Sequence, residues 1–478
     1  MTHRSAQFSL FRRAFVSKVA AAATFAVTAC SVFEPPPAGS ADGGAGTSGG
    51  GGTSGGSGTG GTETGPWWAY TTAQQCESAG LPTAEDRPAG EDPGEELPPI
   101  YLAVTRYRLS AEDTPAMATS TTAWRDIGFD LDKLCTSSQT CKPNGQALVQ
   151  HACEPVVGIP GDGNQCRDNT VGKLFYLAST SENVGKLFGM TEADWNCEFR
   201  RGGYSAIFKI SNYNGKKNDR QVRVDLYTST GLKTPLGFSC REGGIAGSLD
   251  PDWHTRALWT SSMHWKVMEH SLAFNEQPVN NEIPGSKFYD ALAYVRNGYL
   301  FAKLPNGTEW WMNGKHTDIP GFRLIVQRPF VVGELSQDPN NQDFWKLDNA
   351  IISGVVTPDH MLQGFREIGY CEQMCSSYGL NRNYLNDSRD ALADDRIGPG
   401  NACEGATCVK CDGLTWAGDI EARQATALAE DIEPLTAAAP PTDCPEPRHP
   451  AAPRQDTPCG SAGAGGTGGT GGNGDGGS

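Results

Sequence analysis

The sequence predicts a mainly β fold, a β-sandwich or jelly roll that is stapled by disulfides and carries a few short helices. Two observations predict it. Short segments rich in β-branched and aromatic residues recur at intervals typical of sandwiches, about every eight to twelve residues, with turn signals between them. In addition, an apparent export leader ends just before the first of fifteen cysteines, and fourteen more follow; cysteine-rich exported chains usually build disulfide frameworks.

The predicted strands extend from residue 100 to residue 356. They are Ile100–Leu109, Ser205–Ser211, Val222–Thr228, Tyr299–Leu304, Thr308–Met312, Phe322–Gln327, Phe330–Leu335 and Ala350–Val356. The Asn-Gly-Lys-Lys-Asn loop after the second strand and the Pro-Asn-Gly turn after the fourth each predict a hairpin. A doubly wound fold would need helices between these strands, and the sequence pattern of this region shows none.

Helices are predicted after the strands. Thr357 supplies an N-cap and Pro358 a first helical residue, and Met361, Leu362, Phe365 and Ile368 then form one apolar face. A second helix is predicted over Tyr384–Arg396, before a Gly-Pro-Gly stop. The segment Trp416–Ala427 fits either a helix or a last strand.

The N-terminus predicts export and lipid attachment. Residues 1–18 carry four basic residues and no acid, and residues 19–29 are small and apolar, so 1–29 form a signal peptide. The tetrapeptide Val-Thr-Ala-Cys that ends at Cys30 resembles a bacterial lipobox, which implies that Cys30 carries the lipid. Ser31, rather than Asp, follows it, which implies the outer membrane or the cell surface. Arg12-Arg13 also fits a twin-arginine signal, so the export route stays open.

The rest of the chain divides by composition. Residues 30–66 form a tether rich in Gly, Ser and Thr, and residues 441–478 form a tail rich first in Pro and then in Gly. Both are predicted to be disordered because they lack the apolar residues for a core. Residues 67–440 form the disulfide-rich β domain, either as one unit or as two subdomains that meet near 245–255.

The charge excludes one class of partner. The formal net charge is −16, and removal of the leader with its four basic residues makes it −20. Nucleic acid is excluded as a partner because phosphate binding needs clustered Lys and Arg. The expected partners are the membrane, through the lipid, and a glycan or another surface protein.

The cysteines other than Cys30 form two groups of seven. They are Cys76, Cys135, Cys141, Cys153, Cys166, Cys197 and Cys240, then Cys371, Cys375, Cys403, Cys408, Cys411, Cys444 and Cys459. Because seven is odd, complete pairing requires at least one bridge between the groups. The sequence does not determine the connectivity; bridges Cys135–Cys141 and Cys153–Cys166 belong only to the alternative in which the acidic segment is a solvated loop. The CxxC at Cys408–Cys411 could be half a zinc site or a redox pair, but structural disulfides are favoured.

An acidic segment offers candidate metal ligands. Asp126, Asp130, Asp132, Asp162, Asn164 and Asp168 lie in a short stretch between cysteines. Ca²⁺ binds six to eight oxygen ligands, so these side chains could form a calcium site, although their spacing matches no EF-hand. The alternative is a solvated acidic loop. No other cofactor is required.

Two further groups could carry chemistry. Trp310 and Trp311 are neighbours on a predicted strand and point to opposite faces, so one ring could be exposed and stack on a sugar; the alternative is that both are buried. Glu192, Asp194 and Glu198 approach the carboxylate pattern of jelly-roll glycosidases, but the last spacing is one residue too long, and Thr191-Glu192 favours a helix start.

The chain resembles a group of cysteine-rich lipoproteins, without known activity, from bacteria that use Gly-rich tethers. The resemblance is carried by residues 124–135 (WRDIGFDLDKLC), 161–172 (GDGNQCRDNTVG), 210–218 (ISNYNGKKN) and 351–358 (IISGVVTP), and covers most of 98–427. It implies an envelope protein and no particular reaction. We therefore expect a lipid-anchored protein with a non-enzymatic binding or structural role; the alternative is a secreted polysaccharide hydrolase with a jelly-roll-like fold.

Overall fold

The computed structural model describes most of the chain between residues 67 and 434. The described residues are 67–71, 76–114, 117–118, 120–136, 151–155, 161–180, 192–234, 236, 257–273, 278, 280–312, 322–339, 341–367, 384–394, 403 and 408–434. The predicted leader, Cys30, tether and tail lie outside them. Among the helices in these ranges, none combines the length and the apolar character needed to cross a bilayer.

The described residues form fourteen strands and three α-helices of more than two turns. The strands are β1 Tyr70–Thr71, β2 Glu77–Ser78, β3 Ile100–Arg108, β4 Ser205–Ser211, β5 Asp219–Ser229, β6 Gly231–Leu232, β7 Trp265–Met268, β8 Phe288–Arg296, β9 Tyr299–Lys303, β10 Thr308–Met312, β11 Phe322–Asp338, β12 Asn341–Val356, β13 Leu414–Gln424 and β14 Ile432–Glu433. The helices are α1 Thr170–Thr180, α2 Glu192–Arg201 and α3 Pro358–Glu367.

Eight of the strands close into a barrel. Their order is β11-β12-β13-β3-β4-β5-β8-β9, and β9 pairs with β11 to complete the ring. The prediction of a mainly β, disulfide-bonded fold is confirmed, but the sandwich was wrong in its architecture. A sandwich has two sheets with edges, whereas here the β9–β11 pairing joins the two ends of one sheet. β3, β4 and β5 precede residue 237, and the other five strands of the barrel follow residue 256. The two parts of the chain therefore contribute to one sheet.

The barrel interior is filled by side chains. Inward positions alternate along each strand, as in Leu102 and Val104 on β3, and form one apolar cluster around the ring. Tyr107, Trp310 and Trp416 meet in this cluster, and Trp416 Nε1 donates a hydrogen bond of 2.9 Å to the Tyr107 hydroxyl. The interior is therefore a packed core.

One predicted hairpin is confirmed and the other was wrong. β4 and β5 pair antiparallel across the Asn-Gly-Lys-Lys-Asn loop. β9 and β10 both exist, but each pairs with a different part of β11: Phe301 lies opposite Val332, and Trp310 lies opposite Leu324. β9 and β10 therefore run in the same direction, one after the other, along β11, and the turn between them does not form a hairpin. The two strands predicted at Phe322–Gln327 and Phe330–Leu335 are parts of β11, which has an irregularity between them.

The helix predictions had mixed outcomes. α3 begins at Pro358, and the Thr357 hydroxyl accepts a hydrogen bond of 3.2 Å from the His360 N–H, which confirms the N-cap. The second predicted helix is helical only over 384–387. The Ser388 N–H still bonds to the Tyr384 carbonyl, but the N–H groups of Asp390 and Ala391 bond to the Gly413 carbonyl, so the helix does not continue. The undecided segment near Trp416 is strand β13.

Three disulfides lie wholly within the described residues: Cys135–Cys166, Cys153–Cys411 and Cys403–Cys408. Cys153–Cys411 spans 258 residues and joins the early and late groups, so the prediction from cysteine parity is confirmed. The bridges Cys135–Cys141 and Cys153–Cys166, which the solvated-loop alternative assumed, do not form, because Cys166 lies beside Cys135 in the fold. The two cysteines of the CxxC belong to different structural bridges. Cys76 and Cys197 are also disulfide-bonded, and Cys141, Cys240, Cys371, Cys375, Cys444 and Cys459 lie outside the described residues.

Candidate cation site

Five aspartates from three separate chain segments gather outside the barrel wall. One carboxylate oxygen from each of Asp130, Asp132 and Asp168 lies within 4.8 Å of the others. Electrostatic interactions couple this group to Asp162 and Asp390. We call these five residues the carboxylate cluster. They approach one another although Asp390 is more than 200 residues away from the others in the sequence.

Apolar packing positions the first two aspartates. Phe129 and Leu131 belong to a cluster with Tyr294, Phe301 and other side chains on the outer face of β8, β9 and β11. The alternate residues of the same segment are the aspartates at 130 and 132. Hydrophobic anchoring of the odd positions therefore holds the even positions beside the other carboxylates.

Hydrogen bonds orient the carboxylates of Asp130 and Asp168. Asp168 Oδ2 accepts a hydrogen bond of 2.7 Å from the Leu131 N–H, and the Asp168 N–H donates one of 2.8 Å to the Phe129 carbonyl. Asp130 Oδ2 accepts a hydrogen bond of 2.6 Å from the Ser78 hydroxyl. Neutral donors satisfy these oxygens without cancelling the negative charge.

The other carboxylates are held in the same way. Asp132 Oδ1 accepts from the Leu134 N–H at 2.8 Å, and Asp162 Oδ2 accepts from the Thr136 N–H. Asp390 accepts three hydrogen bonds: one of 2.8 Å from the Thr415 N–H, and one of 2.6 Å from each hydroxyl of Thr415 and Thr170. Asp390 thus connects the cluster to β13 and to the first residue of α1.

A small cavity lies beside three of these carboxylates. Its water-accessible volume is about 20 Å³, and Asp132, Asp168 and Asp390 line it. Arg328, at the irregularity of β11, also lines the cavity and donates a hydrogen bond of 3.2 Å to the Leu392 carbonyl. A volume of this size holds about one water molecule or one small ion.

The electrostatics of the cluster disfavour its charged form. Burial, followed by repulsion from Asp130, raises the pKa of Asp132 to about 8. Burial and the neighbouring aspartates also raise the pKa values of Asp162 and Asp168 well above the usual range. Burial raises the pKa of Asp390, although its hydrogen bonds oppose that effect. Without a cation the cluster must therefore retain protons near neutral pH or bear a strong repulsion.

Direct ion pairs do not compensate most of this charge. Among the described residues, no Lys or Arg forms an ion pair with Asp132, Asp162, Asp168 or Asp390. Lys173 lies close enough for Asp390 and Asp162 to act on its pKa, but burial is the larger effect and lowers that pKa. An uncompensated group of buried carboxylates is costly unless protons or a metal ion join it.

The predicted metal set overlaps this cluster only in part. Asp130, Asp132, Asp162 and Asp168 belong to it. Asp126 and Asn164 lie apart and pair with each other, since Asn164 Nδ2 donates a hydrogen bond of 2.7 Å to Asp126 Oδ1. Sequence reasoning missed Asp390. The odd number of cysteines in each group predicted contact between the N-terminal and C-terminal parts of the chain, but it did not indicate that Asp390 would join the cluster.

The tryptophan hypothesis does not fit the structure. Trp310 is 1 % exposed and lies in the barrel core, and Trp311 is 7 % exposed. Trp311 Nε1 donates a hydrogen bond of 3.0 Å to Glu309 Oε2, and its ring contacts His270. Neither ring offers an open face to a sugar, so the prediction of an exposed stacking platform was wrong.

The acidic group on α2 has structural partners. The Glu192 carboxylate accepts hydrogen bonds from the backbone N–H groups of Leu109, Ser110 and Ala111 and so holds the chain just after β3. Glu198 forms a buried ion pair of 2.8 Å with Arg201. The helix start predicted at Glu192 is confirmed, and these carboxylates do not face each other as a catalytic pair.

Comparisons of the chain with protein-family models, with curated proteins and with solved structures return no match. The inference of function therefore depends on the chemistry of the carboxylate cluster and on the sequence features of the N-terminus.

Proposed function

We propose that the protein is an exported, lipid-anchored envelope protein whose barrel domain is stabilised by a calcium ion and has a binding or structural role. The observation that carries the calcium site is the approach of carboxylate oxygens of Asp130, Asp132 and Asp168 to within 4.8 Å of one another, beside a cavity that Asp132 and Asp168 line. The anchor is supported by the sequence around Cys30, and a glycan or another surface protein is the expected partner.

The donors favour calcium over other metals. All of them are carboxylate oxygens, which suit hard cations, and no Cys or His side chain joins this group among the described residues. Ca²⁺ binds oxygens at 2.3–2.6 Å, so two oxygens on opposite sides of the ion lie about 5 Å apart. Oxygens that all lie within 4.8 Å of one another can therefore contact one Ca²⁺ together, and the flexible coordination of Ca²⁺ tolerates an irregular set of carboxylates better than the strict octahedron of Mg²⁺ does.

The same geometry argues against the polysaccharide hydrolase. A pocket for an organic ligand usually has a volume of about 300–1,000 Å³, far above the volume of about 20 Å³ found here. Glycosidases also keep their two carboxylates about 5–5.5 Å or 6.5–9.5 Å apart with a sugar between them. The cluster is too tight and too enclosed to admit a sugar ring.

Calorimetric titration tests this proposal. The purified mature chain, freed of metal with EDTA and dialysed, should bind about one Ca²⁺ and bind Mg²⁺ more weakly. Asp126→Asn, which lies outside the cluster, should bind Ca²⁺ like the wild type. A panel of polysaccharides should show no turnover, and a glycan array would then search for a ligand. Absence of Ca²⁺ binding would reject the site, and turnover lost on a single carboxylate substitution would favour the hydrolase.

A further inference from the structure

Two disulfides join the chain segments that carry the carboxylate cluster. Cys135–Cys166, with Cα atoms 4.9 Å apart, links the segment of Asp130 and Asp132 to the segment of Asp168. Cys135 lies three residues after Asp132, and Cys166 lies two residues before Asp168. This bridge therefore limits the distance between the segment of Asp130 and Asp132 and the segment of Asp168.

The second disulfide fixes the remaining segment. Cys153–Cys411 has Cα atoms 5.1 Å apart, and Cys153 Sγ lies 3.7 Å from the Asp390 carbonyl oxygen. Ala152, next to Cys153, lines the cavity. Cys411 precedes Gly413, whose carbonyl accepts hydrogen bonds from the N–H groups of Asp390 and its neighbour. Reduction of this bridge would release the segment of Cys411 and Gly413, which holds the Asp390 backbone in place.

A separate observation indicates that the site accepts a ligand. Asp168 is only 7 % exposed and lines the cavity. Its Oδ2 is engaged by the Leu131 N–H, whereas its Oδ1 has no hydrogen bond or ion pair with any described residue. Because Asp168 lines the cavity, its second carboxylate oxygen is available to a cation bound there.

We infer that the oxidation state of Cys135–Cys166 and Cys153–Cys411 controls cation binding, so that the site forms only in an oxidising compartment. This inference rests on the proposed calcium site. In reduction, each bridge takes two electrons and two protons from a dithiol, which itself becomes a disulfide, and two cysteine thiols form. The reverse reaction, with a disulfide oxidant as electron acceptor, would accompany export. The reduced chain then has to bring several carboxylates together against their repulsion without covalent support.

The coupling must act in both directions. If oxidation strengthens Ca²⁺ binding, bound Ca²⁺ must make the same bridges harder to reduce by the same factor. The Cys135–Cys166 bridge closes a loop of about thirty residues and so reduces the conformational freedom of the chain before the cluster assembles. A restriction of this size changes the equilibrium for assembly on the order of 10²-fold. Cys403–Cys408 spans only five residues within one segment and offers a matched control, because it joins no two parts of the cluster.

Thiol trapping of the wild-type chain tests this coupling. The protein is equilibrated with a graded dithiol buffer, with either Ca²⁺ or EDTA, then alkylated and mapped by mass spectrometry. We expect Ca²⁺ to decrease the reduced-to-oxidised ratio of Cys135–Cys166 and Cys153–Cys411 at least tenfold and to leave Cys403–Cys408 unchanged. If the oxidised form binds Ca²⁺ in the calorimeter but the ratios are equal with and without Ca²⁺, the redox coupling is overturned and the calcium site is not. Absence of Ca²⁺ binding by the oxidised form would instead reject the proposed function.

A pair of variants gives an independent test. Cys135→Ser/Cys166→Ser should bind Ca²⁺ about 100-fold more weakly than wild type, whereas Cys403→Ser/Cys408→Ser should keep wild-type affinity. Circular dichroism would confirm that the barrel of each variant is folded. Wild-type affinity in the folded first variant would overturn the inference for that bridge. If that variant does not fold, the trapping experiment on wild-type protein decides.

Discussion

The Asp168 carboxylate accepts a hydrogen bond of 2.7 Å from the backbone N–H of Leu131. The Leu131 side chain packs on the barrel wall, so this one bond fixes Asp168 relative to the barrel. The bond engages Oδ2, and Asp168 itself lines the cavity of the carboxylate cluster. A main-chain donor thus orients a carboxylate of the candidate site, in the way that hydrogen-bond donors orient the ligands around bound ions.

Substitution of Asp132 should have opposite effects with and without calcium. The folded-state pKa of Asp132 is raised to about 8, so its contribution to stability is present below the unfolded pKa of about 4 and is lost as pH rises towards 8. Asp132→Asn should therefore stabilise the metal-free protein at pH 8 by about 1–2 kcal/mol. It should also abolish stabilisation by Ca²⁺. Urea unfolding in EDTA and in Ca²⁺ measures both effects; a loss of stability in EDTA would contradict the account.

Glu309 should give the protein acid sensitivity. Burial opposes its ionisation, but the His270 hydrogen bond and the positive charges of Arg323, His270 and Lys287 outweigh burial and lower its pKa to about 2. Because this folded-state pKa lies below the unfolded value, the stabilisation is present above about pH 4.5 and is lost as pH falls to about 2.

Glu309→Gln should reduce the free energy of unfolding at pH 7 by about 2–3 kcal/mol and flatten its decline between pH 4.5 and 2. Urea unfolding across this pH range checks the prediction. Glu112→Gln, at an exposed position, serves as the control and should change neither quantity. An unchanged pH profile in Glu309→Gln would show that this carboxylate is not the acid-sensitive group.

The long-range disulfide should contribute strongly to stability. Cys153–Cys411 closes a loop of 258 residues, for which the chain-entropy relation gives about 5 kcal/mol. Cys153→Ser/Cys411→Ser should lower the free energy of unfolding by an amount of that order, with Cys403→Ser/Cys408→Ser as the short-loop comparison. Peptide mapping without reduction should recover a peptide pair linked through Cys153 and Cys411. Recovery of a Cys408–Cys411 pair instead would contradict the connectivity.

The anchor can be tested apart from the fold. Cells expressing the wild-type chain and fed radioactive palmitate should label the protein, and Cys30→Ser should lose the label and move to the soluble fraction. The physical reason is that a protein without acyl chains has no strong hydrophobic attachment to a bilayer. Persistent membrane association of unlabelled Cys30→Ser would contradict lipid anchoring.

Local patterns predicted the local structure well. The alternation of residues 205–211 and the loop after them contain enough information for the β4–β5 hairpin, and Thr357-Pro358 is sufficient to start α3. The barrel was not predicted because closure depends on the pairing of Val332 with Phe301, a contact that leaves no mark on the alternation of either strand.

The candidate site shows the same division. Four of its five aspartates lie in one cysteine-rich stretch and could be grouped by proximity in the sequence. Asp390 could not, because tertiary hydrogen bonds from Thr170 and Thr415 hold its side chain at the site. The burial of both Trp310 and Trp311 likewise follows from side chains that are distant in sequence.

The most direct test of the calcium site is the unfolding midpoint of the wild type, Asp168→Asn and Asp126→Asn, each in EDTA and in saturating Ca²⁺. At a Ca²⁺ concentration 100 times the dissociation constant, binding stabilises a protein by about 2.7 kcal/mol. We expect the free energy of unfolding to rise by that amount in the wild type and in Asp126→Asn, and not to change in Asp168→Asn. An equal rise in Asp168→Asn, or no rise in the wild type, would contradict the proposed calcium site.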